Sequence, residues 1–353
     1  MKSDSTLARR VVRSLVLVLP ILLAACGGGG SGQDEVNVYS HRHYVADQQL
    51  FAAFTEQTGI RVNVVSASAD ELITRLETEG ANSPADVLIT VDAGRLHRAK
   101  ERGLLQPVRS DLLEANVPEA LRDPEGHWYG MTLRGRIIAY ARDRVSPDEL
   151  STYEALADPK WRGRVLVRSS ENIYNVSLLA SIIAASGEDA ALRWAEGIVA
   201  NLARAPQGGD TDQIKDVAAG VGDVAIVNTY YVGRLLNDED PAARALAERV
   251  GIFFPNQGDG ALGRGTHVNV SGAGVTPHAP NRDNAVRLLE FLTSDEAQEL
   301  FARANFEYPV KEGVEWAPTL ESWGDFRADT LNLSVLGELN NQAVILFDRA
   351  RWR

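Results

Sequence analysis

Of its 353 residues only one is a cysteine, Cys26, so no internal disulfide can form and the folded body must hold together by burial alone. No apolar run approaches the roughly 20 residues that a bilayer-spanning helix needs. The phosphate-cradling G-x-x-x-x-G-K-[ST] loop is absent, and so is the G-x-S-x-G turn of serine hydrolases. None of the six histidines stands in the H-x-x-x-H spacing of a zinc site, and no dense Asp/Glu loop offers a calcium site. Positive charge is also short: the formal net charge is −12, which excludes a protein that tracks nucleic-acid phosphates. Repeats are missing as well, which excludes a solenoid.

What is present begins with a leader. Lys2, Arg9, Arg10 and Arg13 precede the apolar run Ser14 to Leu23, and Leu23-Ala24-Ala25-Cys26 follows. The run is the length of a signal-peptide core. Small residues before Cys26 resemble the lipobox of bacterial lipoproteins, which implies that Cys26 is lipidated. Gly27-Gly28-Gly29-Gly30-Ser31-Gly32 comes next, a composition that makes a flexible tether. The reading is therefore a signal peptide over 1–25 and a tether over 26–34. The leader carries four basic residues and one acid, so its removal takes the charge from −12 to −15. The expected location is the periplasm or cell surface, with membrane contact through a lipid anchor.

From Val36 onward short apolar runs alternate with amphipathic segments. Val36–Tyr39, Ile60–Val65, Asp86–Val91, Ile137–Tyr140, Val165–Val167, Val224–Val227 and Val268–Val270 read as strands. Asp70–Glu79 and Arg282–Leu292 carry helical periodicity, and Gly59 ends the helix before it. This alternation predicts an α/β fold with a largely parallel sheet. The rhythm restarts after the turn-rich stretch 123–130, which predicts two lobes, a hinge and a cleft between them. Lobe one is expected over 35–134 and 265–305, and lobe two over 135–264 and 306–353.

Three groups of phenols and imidazoles follow strands: Tyr39-Ser40-His41-Arg42-His43-Tyr44, then Tyr174, then Tyr230-Tyr231. In an open α/β sheet, ligands bind outside the carboxyl ends of the strands, so the three groups can converge on the cleft. Hard, highly charged cations prefer anionic oxygen donors. A phenol becomes such a donor when a nearby cation stabilises phenolate. His41, two residues from His43 on an extended segment, is expected to face the other way, and His97, His127, His267 and His278 are expected at the surface or in loops. Two other readings use the same residues. Tyrosines could stack on a small organic or anionic solute, or the chain could be an iron-dependent enzyme, though neither a cysteine nucleophile nor a two-His-one-carboxylate set is evident.

Pro84-Ala85-Asp86-Val87-Leu88-Ile89, Gly103-Leu104-Leu105-Gln106-Pro107-Val108, Leu156-Ala157-Asp158-Pro159-Lys160-Trp161-Arg162-Gly163 and Leu289-Glu290-Phe291-Leu292-Thr293-Ser294 resemble the type II periplasmic binding proteins. Within that group the chain is similar to the bacterial ferric-ion-binding proteins, likened to a transferrin lobe. The resemblance implies a monomeric, non-enzymatic carrier of Fe3+ as transported cargo, working with separate ABC permease and ATPase subunits. It also implies the ligand set His43, Tyr44, Tyr174, Tyr230 and Tyr231. Four phenolates leave the ferric complex with one negative charge, so a buried cation nearby is expected, and Arg136 is the first choice for it. Arg134, Arg42 and Arg234 are weaker candidates.

Overall fold

The computed structural model describes residues 34–42, 44–260 and 262–353; Cys26 and His43 therefore lie outside the described residues. Nine strands form within them. They are β1 (Glu35–Ser40), β2 (Arg61–Ser66), β3 (Val87–Thr90), β4 (Tyr129–Ala141), β5 (Val165–Leu166), β6 (Val224–Asn228), β7 (Val250–Phe253), β8 (Val268–Val275) and β9 (Tyr308–Pro309). Their order is β2-β1-β3-β8-β4-β6-β5, with β7 and β9 also paired to β4.

Local chemistry explains most boundaries. β3 is buried along its whole length, flanked by β1 and β8 and packed against the helix Ala93–Glu101. The helix Val45–Thr58 stops at Gly59, whose φ of 74° no β-carbon has to share, and its N–H closes on Thr55. Ser68 and Glu71 form a reciprocal cap that starts the helix Ala69–Glu79. The helix Arg282–Leu292 buries Ala285, Leu288, Leu289 and Leu292 on one stripe.

One long strand joins the two halves. β4 lies beside β8 from Tyr129 to Gly135, then beside β6 from Arg136 to Tyr140. Beyond the crossing, Ile137, Ala139 and Ala141 enter one apolar cluster while Ile138 and Tyr140 enter the other. This is the period-two alternation of a strand buried on both faces. The expectation of a largely parallel sheet is corrected here. β1 pairs in parallel with β2 and β3, and β5 with β6, but every pairing made by β4 or β8 is antiparallel. The reason is connectivity: β4 carries the chain out of the first sheet, and β8 carries it back alongside.

The C-terminal segment has partners on both sides. Tyr308 and Pro309 pair with Leu133 and Thr132 in the first sheet, whereas the helix Asn340–Ala350 packs on the helices Ile173–Ser186 and Glu188–Ala200. Among the described residues no helix is long and apolar enough to cross a membrane.

Candidate metal centre

The parallel strands aim their carboxyl ends at one place. Four residues after β1, Tyr44 stands at the N-cap of the helix Val45–Thr58, where its N–H donates to Asp47 at 3.2 Å. Past β5, Asn172 caps the helix Ile173–Ser186 by accepting the Tyr174 N–H at 3.1 Å. β6 runs straight into the helix Thr229–Leu236, which begins with Thr229-Tyr230-Tyr231. Each phenol thus sits in the first turn or cap of a helix, where the partial positive charge of unpaired N–H groups favours an anion.

The four rings meet. The Tyr174 and Tyr230 hydroxyls are 3.3 Å apart. Tyr230 stacks on Tyr231 at 4.2 Å between centroids, and Tyr44 approaches Tyr230 edge-on at 6.4 Å. The structure therefore brings together Tyr44, Tyr174, Tyr230 and Tyr231 of the five expected ligands. His43 is not among the described residues.

Cations surround the rings. The Arg42 and Arg234 guanidiniums lie 4.9 and 5.7 Å from the Tyr44 ring centre. Arg134, Arg136 and Arg168 lie 5.5, 5.9 and 5.5 Å from that of Tyr174. Arg134 and Arg136 are almost fully buried, so they belong to the interior and not to a solvated hinge. Buried charges of this kind persist only when paired. Arg42 pairs with Asp47 at 3.0 Å and with Glu307 at 2.9 Å, and Arg134 reaches Glu307 at 3.9 Å. Arg136 donates to Asp210 at 2.7 Å and to Asn175 at 2.8 Å, and Arg168 donates to the other Asp210 oxygen at 3.4 Å.

Burial, reinforced by Glu307 and Tyr174 and opposed by Arg42, pushes the Tyr44 phenol up to about 12. Burial, then the neighbouring Tyr174 and Tyr44, raises Tyr230 well above its ordinary value. Burial, Tyr174 and Asp210 raise Tyr231. With no cation present these phenols hold their protons at neutral pH. A trivalent ion placed among them would displace those protons and gain anionic oxygen ligands from both lobes.

Asp210, Glu307 and Arg168 were not singled out from the sequence. An isolated Asp after Gly208-Gly209, or a Glu before Tyr308, carries no local signal of burial. His97 and His267, expected at the surface or in loops, are both buried, His97 in the helix Ala93–Glu101 and His267 in the segment just before β8. His267 sits where β4 and β8 cross between the halves, and its neighbours there are arginines.

Residues 49–328 match the family of bacterial extracellular solute-binding proteins. The chain is 52% identical to iron uptake protein A1 of Synechocystis sp., over 98% of this chain and 99% of that protein. It is 27% identical to the major ferric iron-binding protein of Neisseria meningitidis serogroup B, over 92% of this chain and 96% of that protein. A Trichodesmium protein, IdiA or FutA, solved in complex with iron and citrate, superposes with a TM-score of 0.87 at 51% identity, covering 90% of this chain and all of that one.

Proposed function

This chain belongs to the bacterial extracellular solute-binding proteins, and from that premise we propose that it captures ferric iron between its two lobes and delivers it to an ABC-type import permease. The carrying observation is the convergence of four phenols from three strand ends, two of their hydroxyls 3.3 Å apart, inside a ring of arginines. Tyr44, Tyr174, Tyr230 and Tyr231 are the anionic ligands in this reading. His43 is a neutral fifth donor, and Arg136 is a buried cation that offsets the excess negative charge. The hinge lies at the two crossings between the sheets, at Gly135–Arg136 in β4 and in the segment between β7 and β8. Lobe one holds β1 to β3 and β8, and lobe two holds β5 to β7.

Converging phenols suit a hard metal ion, whereas the sites of organic solutes are mostly apolar, and the guanidiniums serve to offset the negative charge that four phenolates leave. The family and the named relatives are defined by solute binding and uptake, not by a reaction. Residues 1–25 act as a signal peptide, Cys26 as the lipid-bearing residue and 26–34 as a tether, so the body works beside the membrane. Labelling with a fatty-acid analogue should mark the wild type and leave Cys26→Ser blank; equal labelling would remove the anchor.

The test of metal capture is optical. Ferric phenolate absorbs visible light, so the iron-loaded protein should be coloured and the metal-free protein colourless. Binding releases up to one proton per phenol, so affinity should fall steeply as pH drops. A colourless protein, or an affinity flat from neutral to mildly acidic pH, would sink the reading.

A further inference from the structure

The reading above leaves the buried carboxylate of Asp210 without a role. Asp210, the first residue of the helix Asp210–Ala219, is fully buried. Neither of its oxygens reaches a tyrosine hydroxyl among the described hydrogen bonds. One accepts from Arg136 at 2.7 Å and from the backbone N–H of Asn228 at 2.8 Å. The other accepts from Arg168 at 3.4 Å.

Each of these three partners leads to the site. Arg136 and Arg168 both face the Tyr174 ring, at 5.9 and 5.5 Å. Asn228 ends β6 and is the residue from which the Tyr230-Tyr231 helix starts, and its side-chain oxygen also accepts from Arg136 at 3.2 Å. One carboxylate therefore fixes two guanidiniums beside one phenol and the strand end that delivers two more. It also halves their charge: two cations share one anion.

We propose that Asp210 is a positioning residue that sets the electrostatic field on the lobe-two half of the metal site and thereby the preference of the site for ferric over ferrous iron. This deepens the metal reading and rests on it. Four phenolates give a ferric complex one negative charge and a ferrous complex two. A surplus of positive charge nearby favours the ferrous complex more. With Asp210 in place, Arg136 and Arg168 add a single net positive charge to their side of the site. Without it they add two, and reduction becomes easier. The effect is transmitted at moderate range through an interior of low dielectric, where such fields are weakly screened.

The experiment measures the reduction potential of the iron-loaded protein, with the visible phenolate band as a second readout. Asp210→Asn keeps the shape and a hydrogen-bond acceptor but removes the charge, and should shift the potential upward. Arg168→Gln removes a cation from a half-buried position and should shift it downward. The double variant Asp210→Asn/Arg168→Gln restores the charge balance and should return the potential toward wild type, which a merely structural role for Asp210 would not do. If Asp210→Asn fails to fold, the downward shift in Arg168→Gln carries the test. A coloured wild type whose potential is unmoved by Arg168→Gln, or a double variant no nearer wild type than Asp210→Asn, overturns the role given to Asp210. A colourless wild type overturns the metal reading and this one with it.

Discussion

The two halves of the candidate site are built to different degrees of completion. On the lobe-two side, Tyr174, Tyr230 and Tyr231 already touch, through a 3.3 Å hydroxyl contact and a 4.2 Å ring stack, and Asp210 braces the elements that carry them. On the lobe-one side a single described phenol, Tyr44, reaches across to Tyr230 edge-on, with the ring centres 6.4 Å apart. Its brace is the Arg42 network: Arg42 lies over the Tyr44 ring and is gripped by Asp47 and Glu307. Three of the phenols come from lobe two alone and need no domain motion to stand together, whereas Tyr44 meets them from lobe one. The difference implies an order. On the proposed ligand set, iron is expected to land on lobe two first and Tyr44 to close over it, closure then raising the affinity by one added ligand.

The largest effect should come from the pre-assembled half. Tyr230→Phe keeps the ring stack but removes a hydroxyl that sits at the centre of the cluster. We expect at least a ~1000-fold loss of iron affinity, about 4 kcal/mol, and loss of most of the visible band. Tyr44→Phe should cost less, because the three lobe-two phenols still hold the metal when the lobe-one ligand is lost. It should leave a visible band from the three lobe-two phenolates while accelerating iron release. Chelator competition and stopped-flow release, run on both variants, read this directly. Equal losses of affinity and colour would erase the distinction between the halves and the binding order with it.

The sequence made some of this architecture legible and hid the rest for identifiable reasons. Apolar runs such as Asp86–Val91 and Val224–Val227 mark strands, which the structure places at Val87–Thr90 and Val224–Asn228, buried along their whole length. Gly59 and the Ser68/Glu71 pair marked helix ends because their backbone chemistry is local. The tyrosines were visible as candidates because each follows such a strand within a few residues. β4 was only half seen: Ile137–Tyr140 reads as a strand, but Tyr129–Arg136 contains Thr132, Arg134 and Arg136, polar residues that are buried by their partners and not by their own chemistry. The same holds for Asp210 and Glu307. Their partners lie far away in the chain, so the pairing that justifies their burial exists only in three dimensions. Antiparallel pairing of β4 with β8 was hidden for a related reason, since strand direction depends on where the chain returns.

The smallest effect concerns the hinge, and it separates the acid response of the scaffold from that of the phenols. The Arg136 N–H donates to the His267 carbonyl at 2.8 Å, and the His267 N–H donates to the Tyr153 hydroxyl at 3.1 Å, so this histidine sits in the backbone of the crossing. Its ring lines the same small cavity as Tyr174, Arg134 and Arg136. Burial, then the charges of Arg264, Arg136 and Arg134, lowers its pKa from 6.5 to about 3. Between those values the unfolded chain binds a proton that the folded chain refuses, so stability is full above pH 6.5 and falls as pH drops toward 3. The slope approaches about 1.4 kcal/mol per pH unit, or roughly 2 kcal/mol by pH 5. In the metal-free protein Tyr44, Tyr230 and Tyr231 are protonated throughout this range and contribute nothing to the slope. Denaturant titrations of metal-free wild type and His267→Gln at pH 7 and pH 5 should therefore show a larger loss for the wild type. An identical loss in both would mean that the scaffold's acid response arises elsewhere, and that His267 does not hold the crossing in a neutral state at any cost to the fold.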